Sequence, residues 1–201
     1  MKLTLFDSRK EIFFSDDWQQ VETMPDDPPG TSVYMKMTEF SQCMILFYPI
    51  SDDYVMQFEN PQSVIDGIHN SLAINQGLIE VELDEHEKKY IYSIVKTKME
   101  PSGVQYCLTL HFRILDKFYN ITGFFTETGI TGGRDATVFE LARRDGIIKE
   151  NMVGWSNDPY DKSFKKGFLM NLSEKAYFDK NFPLHALSEA RAFIKELEEQ
   201  I

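Results

Sequence analysis

Residues 104–115, VQYCLTLHFRIL, alternate apolar and polar side chains along almost their whole length. Successive side chains of a strand point to opposite faces, so this period of two predicts a strand with one face in a core. The opposite face would be polar, as is common in antiparallel sheets. The predicted core face holds Tyr106, Leu108, Leu110, Phe112 and Ile114, and the polar face holds Gln105, Cys107, Thr109, His111 and Arg113.

Three neighbouring segments continue the same pattern. They cover residues 78–84, 90–99 and 118–127, and short polar or Gly/Pro turns separate them. Because short connections join antiparallel strands, we predict a four-strand antiparallel meander. Residues 32–38 and 42–48, rich in Met, Val, Ile, Phe and Tyr, predict an earlier pair, giving a sheet of about six strands.

Three helices are predicted around this sheet. Asn60-Pro61 is a typical helix start, and Gly77 offers a left-handed stop for that helix. A second helix follows the glycine-rich turn at 129–133 and ends at Asp145-Gly146, and a third covers the C-terminus. The expected fold class is therefore α+β, an antiparallel sheet flanked by helices. We expect one domain over residues 1–201, with 147–180 an irregular excursion that contains a short strand at 168–172.

Charge and composition exclude several classes of function. The chain has 32 acidic and 21 basic residues, a formal net charge of −11, which repels nucleic acid and anionic lipid. Its N-terminus reaches charged residues before an apolar signal core can form, and we expect neither export nor membrane insertion. Cys43 and Cys107 stand singly in apolar runs, as buried thiols do in the reducing cytoplasm. His69, His86, His111 and His185 lack metal-ligand spacing, and we expect no metal and no cofactor.

The element order resembles that of the PsbP/Mog-like superfamily. A strand pair, a helix, a four-strand antiparallel meander and then helices form this order, and the resemblance covers about residues 33 to 141. The resemblance implies an antiparallel sheet sandwiched by helices. Since known members are mostly binding proteins, it also implies non-catalytic protein binding.

The polar face of the meander is one candidate ligand site. A register that keeps apolar faces together would place Tyr92, His111 and Thr122 on adjacent strands, with Cys107 and Thr109 nearby and Arg113 on the same polar face. Such a cluster could line a pocket for a small ligand or for an enzyme reaction. The alternative is an ordinary solvated sheet face, because solvation alone also produces polar alternation.

Gly132, Gly133 and Arg134 form the best candidate anion site. They lie between a strand and a helix, where glycines let backbone amides approach a phosphate. No Gly-Lys-Ser/Thr follows and the spacing is not that of a dinucleotide site. The structural alternative is a tight connection with Asp135 capping the helix and Arg134 packed or paired.

Taken together, the residues favour a non-catalytic cytoplasmic binding or adaptor protein, chaperone-like in type. The chain carries 16 Phe, 9 Tyr and 9 Met, and surplus apolar surface would invite a protein partner, with a second copy of the chain as one candidate. The alternative for this content is a large core. The alternative function is a small-ligand protein or enzyme with its pocket around His111.

Overall fold

The computed structural model describes residues 2–4, by their backbone, together with 11–50, 60–84, 90–114 and 117–201. A seven-stranded antiparallel sheet dominates these residues, with strand order β3-β4-β5-β9-β8-β7-β6. Two further strands, β1 and β2, pair with each other outside this sheet. The strands are β1 (Lys2–Thr4), β2 (Glu11–Phe13), β3 (Gln19–Val21), β4 (Ser32–Met37), β5 (Ser41–Pro49), β6 (Gln76–Leu83), β7 (Tyr90–Lys98), β8 (Val104–Ile114) and β9 (Lys117–Glu127).

The predicted antiparallel meander is confirmed as β6 to β9, which are neighbours in the sheet. In β8, the five residues from Tyr106 to Ile114 that were assigned to the core face are 0–5 % exposed. The intervening residues are half-buried, except for the exposed Arg113. Period two therefore identified the buried face correctly, because each one-residue step reverses the side-chain direction.

Within the described ranges, three α-helices accompany the sheet: α1 (Pro61–Ser71), α2 (Gly133–Arg144) and α3 (Ala186–Glu198). Helix α3 packs on the core face, where the ring of Phe193 lies 6.2 Å, centre to centre, from that of Phe125 in β9. The α+β class with an antiparallel sheet and flanking helices is thus confirmed. Among the described residues, none of the helices is long and apolar enough to span a bilayer.

The start of α1 follows the prediction, but its end does not. The side chain of Asn60 accepts a hydrogen bond from the backbone N–H of Ser63 at 3.2 Å. The helix ends at Ser71 rather than at Gly77, which lies in β6. A Cβ atom at Gly77 would come within 1.9 Å of the carbonyl oxygen of Phe168. The glycine is therefore required for close approach of two backbones and not for a left-handed helix stop.

Residues 147–180 cross the edge of the sheet without forming an α-helix or a strand. The predicted strand at 168–172 is wrong, since this region contains only an isolated bridge between Ser156 and Asn171. Instead, the backbone N–H of Phe168 donates to the carbonyl of Gln76 in the edge strand β6 at 2.7 Å. One short 3-10 turn, Glu150–Met152, precedes this contact, and two more, Leu172–Glu174 and Ala176–Asn181, follow it.

Candidate functional site

The register of the sheet separates Tyr92 from the other residues of the predicted polar-face cluster. Tyr92 pairs with Leu110, and therefore lies on the core face, whereas His111 points to the other side. The hydroxyl of Tyr92 donates to a carboxylate oxygen of Glu82 at 2.8 Å, and the residue is 6 % exposed. The predicted placement of Tyr92 beside His111 is therefore wrong. Strand β7 contributes both Tyr92 and Lys96 to the core face. These two polar side chains give the core face of β7 the sequence pattern of a solvated face.

His111 and Thr122 do share the opposite face. His111 pairs with Asn120 across β8 and β9, and Thr122 pairs with Thr109, so His111 and Thr122 are diagonal neighbours. Burial lowers the pKa of His111 below its ordinary value. Asn120 is 2 % exposed, and its Nδ2 donates to Thr122 at 2.9 Å while its Oδ1 has no hydrogen bond within the described ranges. Arg113 lies on the same face and is exposed to solvent.

The glycine-rich turn of the predicted anion site forms the start of α2. Gly132 adopts the left-handed conformation at φ 74° as the residue before the helix, a conformation that favours glycine. Gly133 is exposed, but Arg134 is only 2 % exposed and points into the protein. The carboxylate of Asp135 is engaged by the side chains of Ser173 and Asn171.

The guanidinium of Arg134 connects α2 to the chain before α3. Its five N–H groups are suited to several carbonyl and carboxylate acceptors at once. It makes an ion pair with Asp179 at 2.9 Å. Its other acceptors are the carbonyls of Ser173 and Lys175, the hydroxyl of Ser188 and, at 3.5 Å, Nδ1 of His185. Arg134 is therefore committed to internal contacts, as the structural alternative for this turn expects.

An apolar pocket of about 380 Å³ opens beside this turn, at the end of the sheet where β9 finishes. We call it the end pocket. Three separate loops form its mouth: the β4–β5 turn, the segment between β9 and α2, and the segment before α3. Its lining consists of Phe40, Glu127, Ile130, Gly133, Arg134, Thr137, Asn181, Phe182, Pro183, Leu184 and His185.

Glu127 and His185 form a hydrogen-bonded pair in the wall of the end pocket. The backbone N–H of Leu187 donates to Nδ1 of His185 at 3.2 Å, so Nδ1 is an acceptor and Nε2 carries the hydrogen. This Nε2–H donates to Oε1 of Glu127 at 2.6 Å. The other carboxylate oxygen of Glu127 accepts from the backbone N–H of Val104 at 3.1 Å. Both side chains thus have their polar atoms engaged within the chain.

Comparison with known proteins found similarity only at the level of structure. Neither a protein-family model nor a curated protein matches the sequence. The Ran-binding protein Mog1p of Saccharomyces cerevisiae is similar with a TM-score of 0.46 and 9 % identity, over 70 % of this chain and 82 % of that one. The PsbP protein of the cyanobacterium Synechocystis has a TM-score of 0.38 and 15 % identity, over 65 % of this chain and 79 % of that one.

Mog1p and PsbP are the proteins after which the superfamily named in the sequence analysis is called. A variant of Mog1 gives the same values as Mog1p.

Sequence reasoning identified one side of the end pocket and missed the rest. Gly133 and Arg134, two of the three residues of the predicted anion site, belong to its lining. Phe40, Phe182 and Leu184 are single apolar residues in turns and loops, where no periodic pattern marks them. An exposed isoleucine in a glycine-rich turn, Ile130, is the one local signal that could have indicated a binding surface.

Proposed function

We propose that this chain is a non-catalytic protein-binding module, of adaptor or chaperone type, that holds its partner at the end pocket. The observation that carries the proposal is the exposed apolar rim of that pocket. Ile130 is 82 % exposed, Leu184 is 42 % exposed and Phe40 is 37 % exposed. Exposed apolar side chains grouped around a concave site are typical of surfaces that bind other proteins.

The ionisable groups around the pocket support a binding role over a catalytic one. A general base needs a nitrogen or oxygen that can take a proton from the substrate. His185 uses one nitrogen to accept from Leu187 and the other to donate to Glu127. Arg134 is held by Asp179 and by backbone carbonyls. These contacts occupy the groups that acid-base chemistry would require.

The same proposal places the protein in the reducing cytoplasm. Cys43 and Cys107 are both free thiols, and Cys43 is fully buried. Burial raises the pKa of Cys43 to about 11, which suits a structural thiol in a compartment where disulfides are rare.

Site-specific photo-crosslinking in cells of the source organism tests this function. A benzophenone amino acid replaces Ile130 in one variant and Ile74 in another, because the two isoleucines are 82 and 81 % exposed. Ile74 lies between α1 and β6 and does not line the end pocket. We expect a discrete protein adduct from position 130, identified by mass spectrometry, and none from position 74.

A second substitution makes the result specific to the pocket. Leu184→Asp places a charge on the apolar rim, and we expect it to abolish the adduct at position 130 while the circular dichroism spectrum stays unchanged. Equal adducts at positions 130 and 74, or an adduct that survives Leu184→Asp, would contradict binding at the end pocket.

A second candidate function is small-ligand binding on the sheet face around His111, and Asn120 favours it. A buried amide oxygen without a hydrogen bond is uncommon, and a ligand donor could satisfy Oδ1 of Asn120. In an NMR fragment titration, this function predicts amide shift changes at His111, Thr122 and Arg113 that Asn120→Ala removes. Shift changes confined to the end pocket would rule it out.

A further inference from the structure

The chemistry of the end pocket specifies what kind of partner segment it takes, and this inference rests on the proposed function. Three charged or ionisable side chains line the pocket, and each has partners within the chain. Glu127 bonds His185 and Val104 through its two oxygens. Arg134 bonds Asp179 and the carbonyl of Ser173. A polar group entering the pocket would lose its hydration without gaining a charged partner, which favours an apolar occupant.

The size of the pocket limits this occupant. Small-molecule sites range over roughly 300–1,000 Å³, and the end pocket at about 380 Å³ is near the lower limit. This volume is large enough to take a bulky side chain, with the partner's backbone outside. The exposed Ile130 and Leu184 would then contact the flanks of that side chain at the mouth.

The charge of the protein indicates which residues flank the inserted side chain in the partner. The net charge of −11 attracts cationic segments and repels a second copy of the same chain. Glu39 is exposed directly before Phe40 in the pocket lining. The nearest lysine along the lining sequence, Lys180, has its ammonium over the ring of Tyr177 at 4.5 Å. Lys180 is itself exposed beside Asn181 of the lining, so the preference for a cationic partner comes from the net charge of −11 together with the carboxylate of Glu39.

We infer that the end pocket binds a protein segment that inserts one bulky apolar side chain, of leucine, methionine or phenylalanine size, flanked by lysine or arginine. The apolar side chain supplies burial, and the flanking cations supply steering and salt-dependent association.

Three short end-blocked peptides test the inference against the isotope-labelled full chain by NMR. The first has one central phenylalanine between two pairs of lysines, the second replaces the phenylalanine by alanine, and the third replaces the lysines by glutamate. We expect saturable shift changes at Phe40, Ile130 and Leu184 with the first peptide. Alanine should weaken binding about tenfold or more, and glutamate should weaken it at low salt.

Ile130→Asp and the matched Ile74→Asp complete the design. Only the first should weaken binding of the lysine-phenylalanine peptide, since Ile74 is equally exposed but does not line the pocket. Equal binding of the lysine and glutamate peptides overturns the cationic flank, and equal binding of the phenylalanine and alanine peptides overturns the apolar insertion.

Two other results would also reject the inference while leaving the proposed function standing. The first is no binding by any of the peptides together with a pocket-dependent adduct at position 130. The second is sedimentation showing self-association that Ile130→Asp abolishes, because the occupant would then be a second copy of this chain.

Discussion

Lys96 is a charged residue that lies in the core, where lysine is rarely found. It is 0 % exposed, and its ammonium lies 2.8 Å from a carboxylate oxygen of Glu174 and 3.8 Å from the centre of the Phe168 ring. Removing one partner of a buried ion pair leaves the other charge uncompensated. We expect Lys96→Met to lower the free energy of unfolding by about 3–5 kcal/mol, measured by urea denaturation.

Two further variants separate charge from packing at this position. Lys98→Met, on the same strand but exposed, should change stability by less than about 0.5 kcal/mol. Combining Lys96→Met with Glu174→Gln should recover part of the loss, because the neutral amide would leave no unpaired charge buried beside the methionine. A double variant as unstable as Lys96→Met alone would show that lost packing, not the unpaired carboxylate, dominates.

At the scale of elements, two glycines of α1 and β6 have opposite roles. Gly67 is an exposed residue within α1, and a Cβ there would meet nothing within 4 Å. Gly67→Ala should therefore raise the free energy of unfolding by about 0.5–1 kcal/mol through helix propensity. Gly77→Ala should lower it by roughly 1–3 kcal/mol or more, since the backbone of Phe168 would have to move. Thermal denaturation of both variants measures these changes in stability. A stabilising Gly77→Ala would contradict the close approach of the backbones at Gly77 and Phe168.

The edge of the sheet gives a second prediction at this scale. The hydroxyl of Tyr160 accepts from the backbone N–H of Val81 at 2.6 Å and donates to its carbonyl at 3.0 Å, so a side chain satisfies both groups of an edge residue. Unpaired edge groups promote pairing with another chain. We expect Tyr160→Phe to cost about 1 kcal/mol and to cause concentration-dependent self-association in sedimentation velocity. Tyr177→Phe, at a 70 % exposed tyrosine, should do neither.

At the scale of the whole molecule, alkaline pH tests how well the core excludes water. Burial raises the pKa of Cys43 from its ordinary 9.0 to about 11. The unfolded chain therefore ionises this thiol first, and stability falls as pH rises between these two values. Between about pH 7 and about pH 10.5 this thiol should account for about 2 kcal/mol of lost stability.

The variant Cys43→Ala separates the stability lost through ionisation of this thiol from the stability lost through ionisation of buried tyrosines. Burial also raises the pKa of Tyr34 and Tyr106, and both tyrosines remain in the variant. Urea denaturation at both pH values should show that the wild-type protein loses about 2 kcal/mol more than Cys43→Ala. Parallel losses in the two proteins would mean that solvent reaches the thiol in the folded state.

The sequence by itself determined the meander, the buried face of β8 and the start of α1. Each follows from a local cause. In a strand, the side-chain direction alternates at every residue, and in α1 the side chain of Asn60 caps the backbone N–H of Ser63, three residues later. The same local patterns predicted the α+β class and the glycine-rich connection before α2.

Only the tertiary structure decided where Lys96, Tyr92 and Gly77 lie and that an end pocket exists. The partner of Lys96 is 78 residues away in the chain, and the loops around the pocket come from three separate regions. Local periodicity carries no information about such partners, because they are fixed by packing between distant segments. A buried lysine makes a core face look polar in the sequence, and only its carboxylate partner explains why it can be there.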